Sequence, residues 1–292
     1  MASRIFCRDL CAERSEPASG LGPSSESYVL LHWPRGDWRV PRVKSHLMPE
    51  GLGHAILAAN AAGIHVALVD GDDIGFTHQG VVRAHVTPGE AQQLLLHIAG
   101  GGVLEGTNDP RLTIVCCTDG KQDPCCARYG FATWKALRQA ADPARFRILQ
   151  STHLGGCRFA ASLVVLPQRA RYSRLEPSQV GDFLNCLEQG GPYLPAYRGN
   201  PSYDAAAQTA EIALLEWAGQ HGMTGHVKLH KMESEISGPG QMHFHATIGT
   251  QRATVTLERP EFAVNTRCVT IGEPQGTKNV ARWVATSVLT ED

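Results

Sequence analysis

Two vicinal cysteine pairs, Cys116-Cys117 and Cys125-Cys126, are followed by His153 and Cys157 in a His-x₃-Cys arrangement. Thiolate and imidazole are soft or borderline donors, and two from each short stretch can close around a metal centre. A set of three cysteines and one histidine at this spacing suits an iron–sulfur cluster better than a hydrolytic site. Such a centre would make the chain an electron carrier. Both pairs keep Cys-x₈-Cys, so spacing leaves two registers open, Cys117 with Cys126 or Cys116 with Cys125. Adjacent strand residues point to opposite faces, so only one of Cys116 and Cys117 can face a common centre. Gly155-Gly156 lets the backbone come close to a bulky inorganic core and lets its N–H groups donate to bridging sulfides.

These donors need a strand end, a loop and a helix start to bring them together. Leu112–Val115 reads as a strand, Cys126–Ala141 as a helix and Phe146–Gln150 as the next strand. Phe159–Leu166 and Tyr172–Leu175, split by Pro167-Gln168-Arg169, read as an antiparallel pair before a helix at Val180–Leu187. Strand, helix, strand, hairpin, helix is the order of a thioredoxin-like unit. An earlier stretch follows a similar order, with strands at Tyr28–Trp33 and Ile64–Val69 and helices at 52–62 and Glu90–Ala99. The expected class is therefore α/β, two tandem thioredoxin-like modules with a small, mostly β C-terminal extension. The modules are drawn at 1–102, without cluster ligands, and at 103–220, with them; the extension is 221–292. Gly100-Gly101-Gly102 marks the linker, and residues 1–27 read as loop. In the extension, Val227–Met232, His243–Ile248, Ala253–Leu257 and Arg267–Ile271 read as strands, and Asn279–Leu289 as a closing helix. A helix spans 203–220.

Composition narrows the function classes. Of the 292 residues, 42% are hydrophobic and 19% charged, which supports a folded core. Net charge is −1 with no Lys/Arg run, so nucleic acid is not the expected partner. No stretch of 18 apolar residues is present to span a bilayer, and charged residues interrupt the N-terminal stretch where a secretory signal would be apolar. The expected location is cytoplasmic. Nine cysteines in that compartment point to metal or redox chemistry rather than a disulfide framework. Cys186, in a helical pattern, and Cys268, in a strand-like run, read as small buried hydrophobes.

The two cysteine segments, Cys117-Thr118-Asp119-Gly120-Lys121-Gln122-Asp123-Pro124-Cys125-Cys126-Ala127 and Ser151-Thr152-His153-Leu154-Gly155-Gly156-Cys157-Arg158-Phe159-Ala160, resemble the sucrase/ferredoxin-like family of thioredoxin-fold [2Fe–2S] proteins. Cys7 with Glu16-Pro17, Tyr172–Pro177 and Tyr197-Arg198-Gly199 extend the likeness over roughly residues 5–215. The resemblance implies that Cys117 and Cys126 hold one iron and His153 and Cys157 the other. The family often has histidine where Cys157 stands, so this chain departs toward three cysteines and one histidine. Asp119 replaces a histidine of many relatives and is not expected to ligate. Neutral imidazole in place of thiolate raises the reduction potential, here to roughly −300 to 0 mV by interpolation between all-cysteine and two-histidine clusters. Solvent at the free imidazole nitrogen would couple that potential to pH.

The implied function is one-electron transfer between a reductase and an unidentified acceptor, by a carrier more than a catalyst. Structural zinc in the same residues, making an interaction module, is the first alternative. A thiol oxidoreductase is the second, although no Cys-x-x-Cys opens a helix. Nothing nominates the carboxylate pair that a sucrase needs. Lys121 and Arg158 flank the proposed ligands and could offset an anionic cluster or dock an acidic reductase. His226, His230, His243 and His245 offer a possible second metal site, each pair on one strand face.

Overall fold

The computed structural model describes residues 4–22, 25–223, 227–230, 238, 240–248 and 251–290. The N-terminal stretch, expected as loop, contains a short helix, α1 (Cys7–Glu13), which buries Cys7 and Cys11. Next come β1 (Ser27–His32), α2 (Glu50–Ala61), β2 (Ile64–Val69), β3 (Gly75–His78), β4 (Val81–Arg83), α3 (Pro88–Ala99) and β5 (Thr107–Asn108). The same order then recurs: β6 (Leu112–Cys117), α4 (Phe131–Ala140), β7 (Phe146–Ser151), β8 (Leu163–Leu166), β9 (Ala170–Tyr172) and α5 (Val180–Glu188).

Both runs enter one nine-stranded sheet, ordered β5-β4-β3-β1-β2-β7-β6-β8-β9. In each run the first two strands pair in parallel, with the third antiparallel to the first and the fourth antiparallel to the third. The runs join where β2 meets β7, at the single antiparallel pair Val69↔Ser151. Both residues end their strands, so the C-terminal ends of the two parallel pairs converge at the middle of the sheet. The class is mixed α/β with several sheets, consistent with a thioredoxin-like fold.

Strand alternation sorts the core. Val29, Leu31, Val66 and Leu68 pack beneath α2 and α3, and Ile114, Cys116, Leu163 and Val165 beneath α4 and α5. The opposite side chains, Tyr28, Leu30, Ala67, Val69, Val115, Cys117 and Val164, form a third cluster that also takes in Phe6, Cys7, Cys125, Cys126 and Cys157. Strands buried on both faces read as continuous apolar runs, as β1, β2 and β6 do.

Beyond α5, helix α6 (Ala205–Gln220) is capped by Asp204, whose side chain accepts from the N–H of Ala207 at 2.9 Å. Its Ala206, Ala210, Leu214 and Ala218 pack on a second sheet of β10 (Val227–His230), β11 (Gln241–Ile248), β12 (Gln251–Glu258) and β15 (Val284–Thr290). Strands β13 (Glu261–Val264) and β14 (Lys278–Ala281) form a separate pair. Two expectations are corrected here. Asn279–Leu289 is not a helix but lies in β14 and β15, where Val284, Thr286 and Val288 are the β-branched residues that strands favour. Arg267–Ile271 is not a strand: Cys268–Thr270 is a 3₁₀ turn whose Thr270 N–H returns to the Arg267 carbonyl at 3.1 Å.

Candidate metal centre

Cys117 ends β6 on the face away from the helices, and Cys126 opens the one-turn π-helix Cys126–Gly130 that leads into α4. The loop between them is wound on itself: Asp119 accepts the Gln122 N–H at 3.3 Å, and the Asp123 carbonyl accepts the Cys126 N–H at 3.1 Å. Gly130 lets this turn lie against the strand, because a Cβ there would run into the Cys117 carbonyl. Cys116 points the other way, with its thiol donating to the Gly130 carbonyl at 3.3 Å. Of the two registers that spacing leaves open, the structure brings Cys117 and Cys126 together.

The second segment follows β7 and reaches the same place. Gly155 and Gly156 have φ of 94° and 73°, the left-handed conformation that glycine adopts without strain, and reverse the chain between His153 and Cys157. The donor atoms of Cys117, Cys126 and His153 all lie within 4.8 Å of one another. Cys157 Sγ lies 3.7 Å from His153 Nδ1. All three cysteines are buried, and His153 is half-buried. Its neighbours Arg39, Arg42, Leu57, Asp119 and Gln122 line a cleft of about 220 Å³ that His153 shares.

The four groups shift one another's proton affinities in opposite directions. A hydrogen bond from Cys126, outweighing burial, holds Cys117 well below the usual thiol range; Cys126 itself, facing Cys117 and Cys157, is pushed well above it. The Cys126 contact also brings Cys157 down to about 6. Burial disfavours charge on His153, but hydrogen bonds to Cys117 and Cys157 overcome it and raise the imidazole to about 10. Thiolate is the form that ligates metals, so the set holds anionic sulfur ready in a buried place. Three sulfurs and one imidazole, drawn together with two of the sulfurs held toward thiolate, fit the donor demand of a soft metal centre.

Arginines hold the backbone around this set. Arg42 Nη2 donates to the His153 carbonyl at 2.9 Å, and Arg171 Nη2 donates to the Leu154 carbonyl. Arg198 Nη2 donates to Ser162 Oγ at 2.8 Å, and that hydroxyl donates to the Gly155 carbonyl at 3.4 Å. Arg42 comes from the first run of elements, and no motif in the sequence marks it. Lys121 and Arg158, expected as charge partners or docking groups, are engaged within the chain. Lys121 Nζ donates to the Trp38 carbonyl, and Arg158 forks onto buried Glu16 at 2.8 and 3.0 Å.

Of the four histidines in the C-terminal extension, His226 and the His230 side chain lie outside the described residues. His243 and His245 are hydrogen-bonded to Thr256 and Thr254 across the strand pair, at 3.2 and 2.9 Å. Cys268, expected as an inert hydrophobe, instead meets Cys125 and Cys7, with sulfur separations of 3.3 and 3.7 Å. Cys186 sits half-buried on α5.

Among solved structures, the chain is similar to a thioredoxin-like [2Fe–2S] ferredoxin from Aquifex aeolicus. Identity is 18% and the TM-score 0.28, over 30% of this chain and 89% of that one. A second structure, the wild-type ferredoxin from the same organism, matches at 19% identity and TM-score 0.27, over 30% and 95%. No curated protein matches the chain. A family model described as sucrase/ferredoxin-like matches residues 76–199, a span that contains Cys117, Cys126, His153 and Cys157. The segment that carries the candidate centre thus matches the sucrase/ferredoxin-like model, the family its two cysteine motifs resemble.

Proposed function

We propose that the protein is a one-electron carrier whose Cys117, Cys126, His153 and Cys157 hold a [2Fe–2S] cluster. The observation that carries this reading is the convergence of these four side chains, from two separate segments, with Cys117 and Cys157 held toward the thiolate form. The cluster, when bound, supplies a site that gains and loses one electron. The chain's part is to exclude water by burial, to offer N–H groups from the Gly155-Gly156 turn and to place arginines against the anionic donors. The recurrent strand order supports reading residues 1–102 and 103–220 as tandem thioredoxin-like modules, the first a scaffold over the cluster, with 221–292 as the β extension. Helix α6 then serves as the shared wall between the second module and the extension. A reductase and an acceptor, both proteins, are the partners, in a cytoplasmic setting. Among the described residues, no helix is long and apolar enough to cross a membrane.

The compactness of the donor set favours one other reading. The donor atoms of Cys117, Cys126 and His153 lie within 4.8 Å of one another, with Cys157 Sγ 3.7 Å from His153, which suits a single tetrahedral zinc. Anaerobically purified protein separates the two. A cluster gives absorption across about 400–600 nm, matched iron and acid-labile sulfide, and an EPR signal on reduction. Colourless, iron-free protein after reconstitution would falsify the electron-transfer reading.

A further inference from the structure

Three cysteines that the first centre does not use meet at a second point. Cys7 Sγ lies 3.5 Å from Cys125 Sγ, Cys125 Sγ lies 3.3 Å from Cys268 Sγ, and Cys268 Sγ lies 3.7 Å from Cys7 Sγ. Zinc–sulfur bonds of about 2.3 Å in a tetrahedron set the sulfurs about 3.8 Å apart, so this triangle is close to one face of such a site. Asp123 supplies the fourth corner. Its carboxylate accepts the N–H of Cys125 at 2.9 Å and the N–H of Cys268 at 2.8 Å, which leaves each oxygen a lone pair. One of its oxygens and the three sulfurs all lie within 4.8 Å of one another. Cys7 and Cys125 are fully buried and Cys268 half-buried, so solvent does not compete for the set.

We infer that Cys7, Cys125, Cys268 and Asp123 form a structural site for a thiophilic divalent cation of the zinc class. The donors come from α1, the loop before Cys126 and the 3₁₀ turn Cys268–Thr270. They lie 118, 143 and 261 residues apart, pair by pair. A bound cation therefore staples the N-terminal helix and the C-terminal turn to the loop that presents Cys126. The two sites share no donor, so this one stands whether or not the cluster reading does. Cys125 and Cys126 are consecutive, and one peptide bond separates the two sets.

Full-length protein expressed with zinc and purified anaerobically provides the test, with zinc and iron measured in the same sample. Wild type is expected to retain about one zinc per chain, with zinc-edge X-ray absorption showing sulfur and oxygen neighbours and no imidazole scattering. Cys268→Ala should lower zinc retention at least tenfold while iron, labile sulfide and colour persist. Cys186→Ser should keep both metals. Cobalt added to metal-free protein should give the intense bands of tetrahedral cobalt–thiolate in wild type and Cys186→Ser, with one equivalent fewer of cobalt bound in that form in Cys268→Ala. Wild type without zinc, or zinc lost in Cys126→Ser yet kept in Cys268→Ala, overturns the inference. So does a disulfide joining two of the three cysteines in the anaerobic wild-type protein. The X-ray absorption measurement is made on wild type and decides the matter even if every variant misfolds.

Discussion

His153 is the donor in the set that can carry a proton while serving as a ligand, because imidazole has a second nitrogen. It is also the only member placed on the cleft with Arg39, Asp119 and Gln122. A cluster bound there would take up an electron more readily as pH falls. Changing His153→Cys should remove that dependence and lower the reduction potential by on the order of 100 mV or more, since thiolate adds a negative charge. Potentiometric titration across pH 6 to 9, roughly the range in which a histidine titrates, reads both effects; equal potentials in the two proteins would remove His153 from the ligand set. At this scale the sequence was informative where chemistry is local. Cys-x₈-Cys and His-x₃-Cys each lie within one short stretch, and strand alternation separates Cys116 from Cys117 onto opposite faces of the sheet. The trio of Cys7, Cys125 and Cys268 could not be seen this way, because its members are brought together by tertiary folding across more than a hundred residues.

Elements fix these side chains through close approach. The π-helix at Cys126–Gly130 can lie on β6 only because Gly130 has no side chain to strike the Cys117 carbonyl. Gly130→Ala should therefore destabilise by about 3 kcal/mol, the upper end of ordinary overpacking, and displace Cys126. Urea denaturation measures the first effect and cluster content the second; a change below about 0.5 kcal/mol, typical of surface substitutions, would show that the contact is slack. Histidines in β1 and β2 give the sheet a pH dependence. Burial lowers His32 to about 4, with Arg147 adding to the effect, and burial lowers His65 to about 3. The unfolded chain binds protons at these positions below pH 6.5, the ordinary histidine value, while the folded chain does not. Stability is therefore complete above about 6.5 and falls as pH drops toward 4, by on the order of 3 kcal/mol for His32. His32→Asn should flatten that part of the stability curve; an unaltered slope between pH 6.5 and 4 would dismiss the assignment. Apolar runs located β1, β2 and β6 because strands buried on both faces advertise themselves. The β3–β4 hairpin, turned by Gln79-Gly80 with φ of 49° and 80°, has half-polar strands and only its turn to announce it.

At the scale of the molecule, Glu16 gathers distant chain segments. It is buried, and accepts from Arg158 at 2.8 and 3.0 Å and from Arg282 at 3.2 and 3.1 Å. This ties the N-terminal stretch both to the segment carrying Cys157 and to the link between β14 and β15. Glu16→Gln leaves two guanidinium groups without their counter-charge and should cost about 3–5 kcal/mol, with faster proteolysis of the C-terminal extension. Chemical denaturation with limited trypsinolysis checks this; a loss under 1 kcal/mol, the value of a solvent-screened pair, would demote Glu16 to an incidental contact. The repeated element order was legible in the sequence, since apolar period and Gly/Pro punctuation recur in both runs. That the two runs share one sheet was not, because a single pair, Val69↔Ser151, joins them. Nor was the placement of the first run against the candidate centre, which rests on Arg42 and the Trp38 carbonyl.

Under the proposed carrier role, the reversal at Gly155 and Gly156 would bear on the traffic in electrons. Both residues are half-exposed, and a side chain at Gly155 would approach only Arg171, at 3.7 Å. Bare main chain thus skirts the donors on that edge. A visiting protein's redox group can settle nearer by the thickness of an absent side chain, and tunnelling, which weakens steeply with separation, would run fastest through that opening.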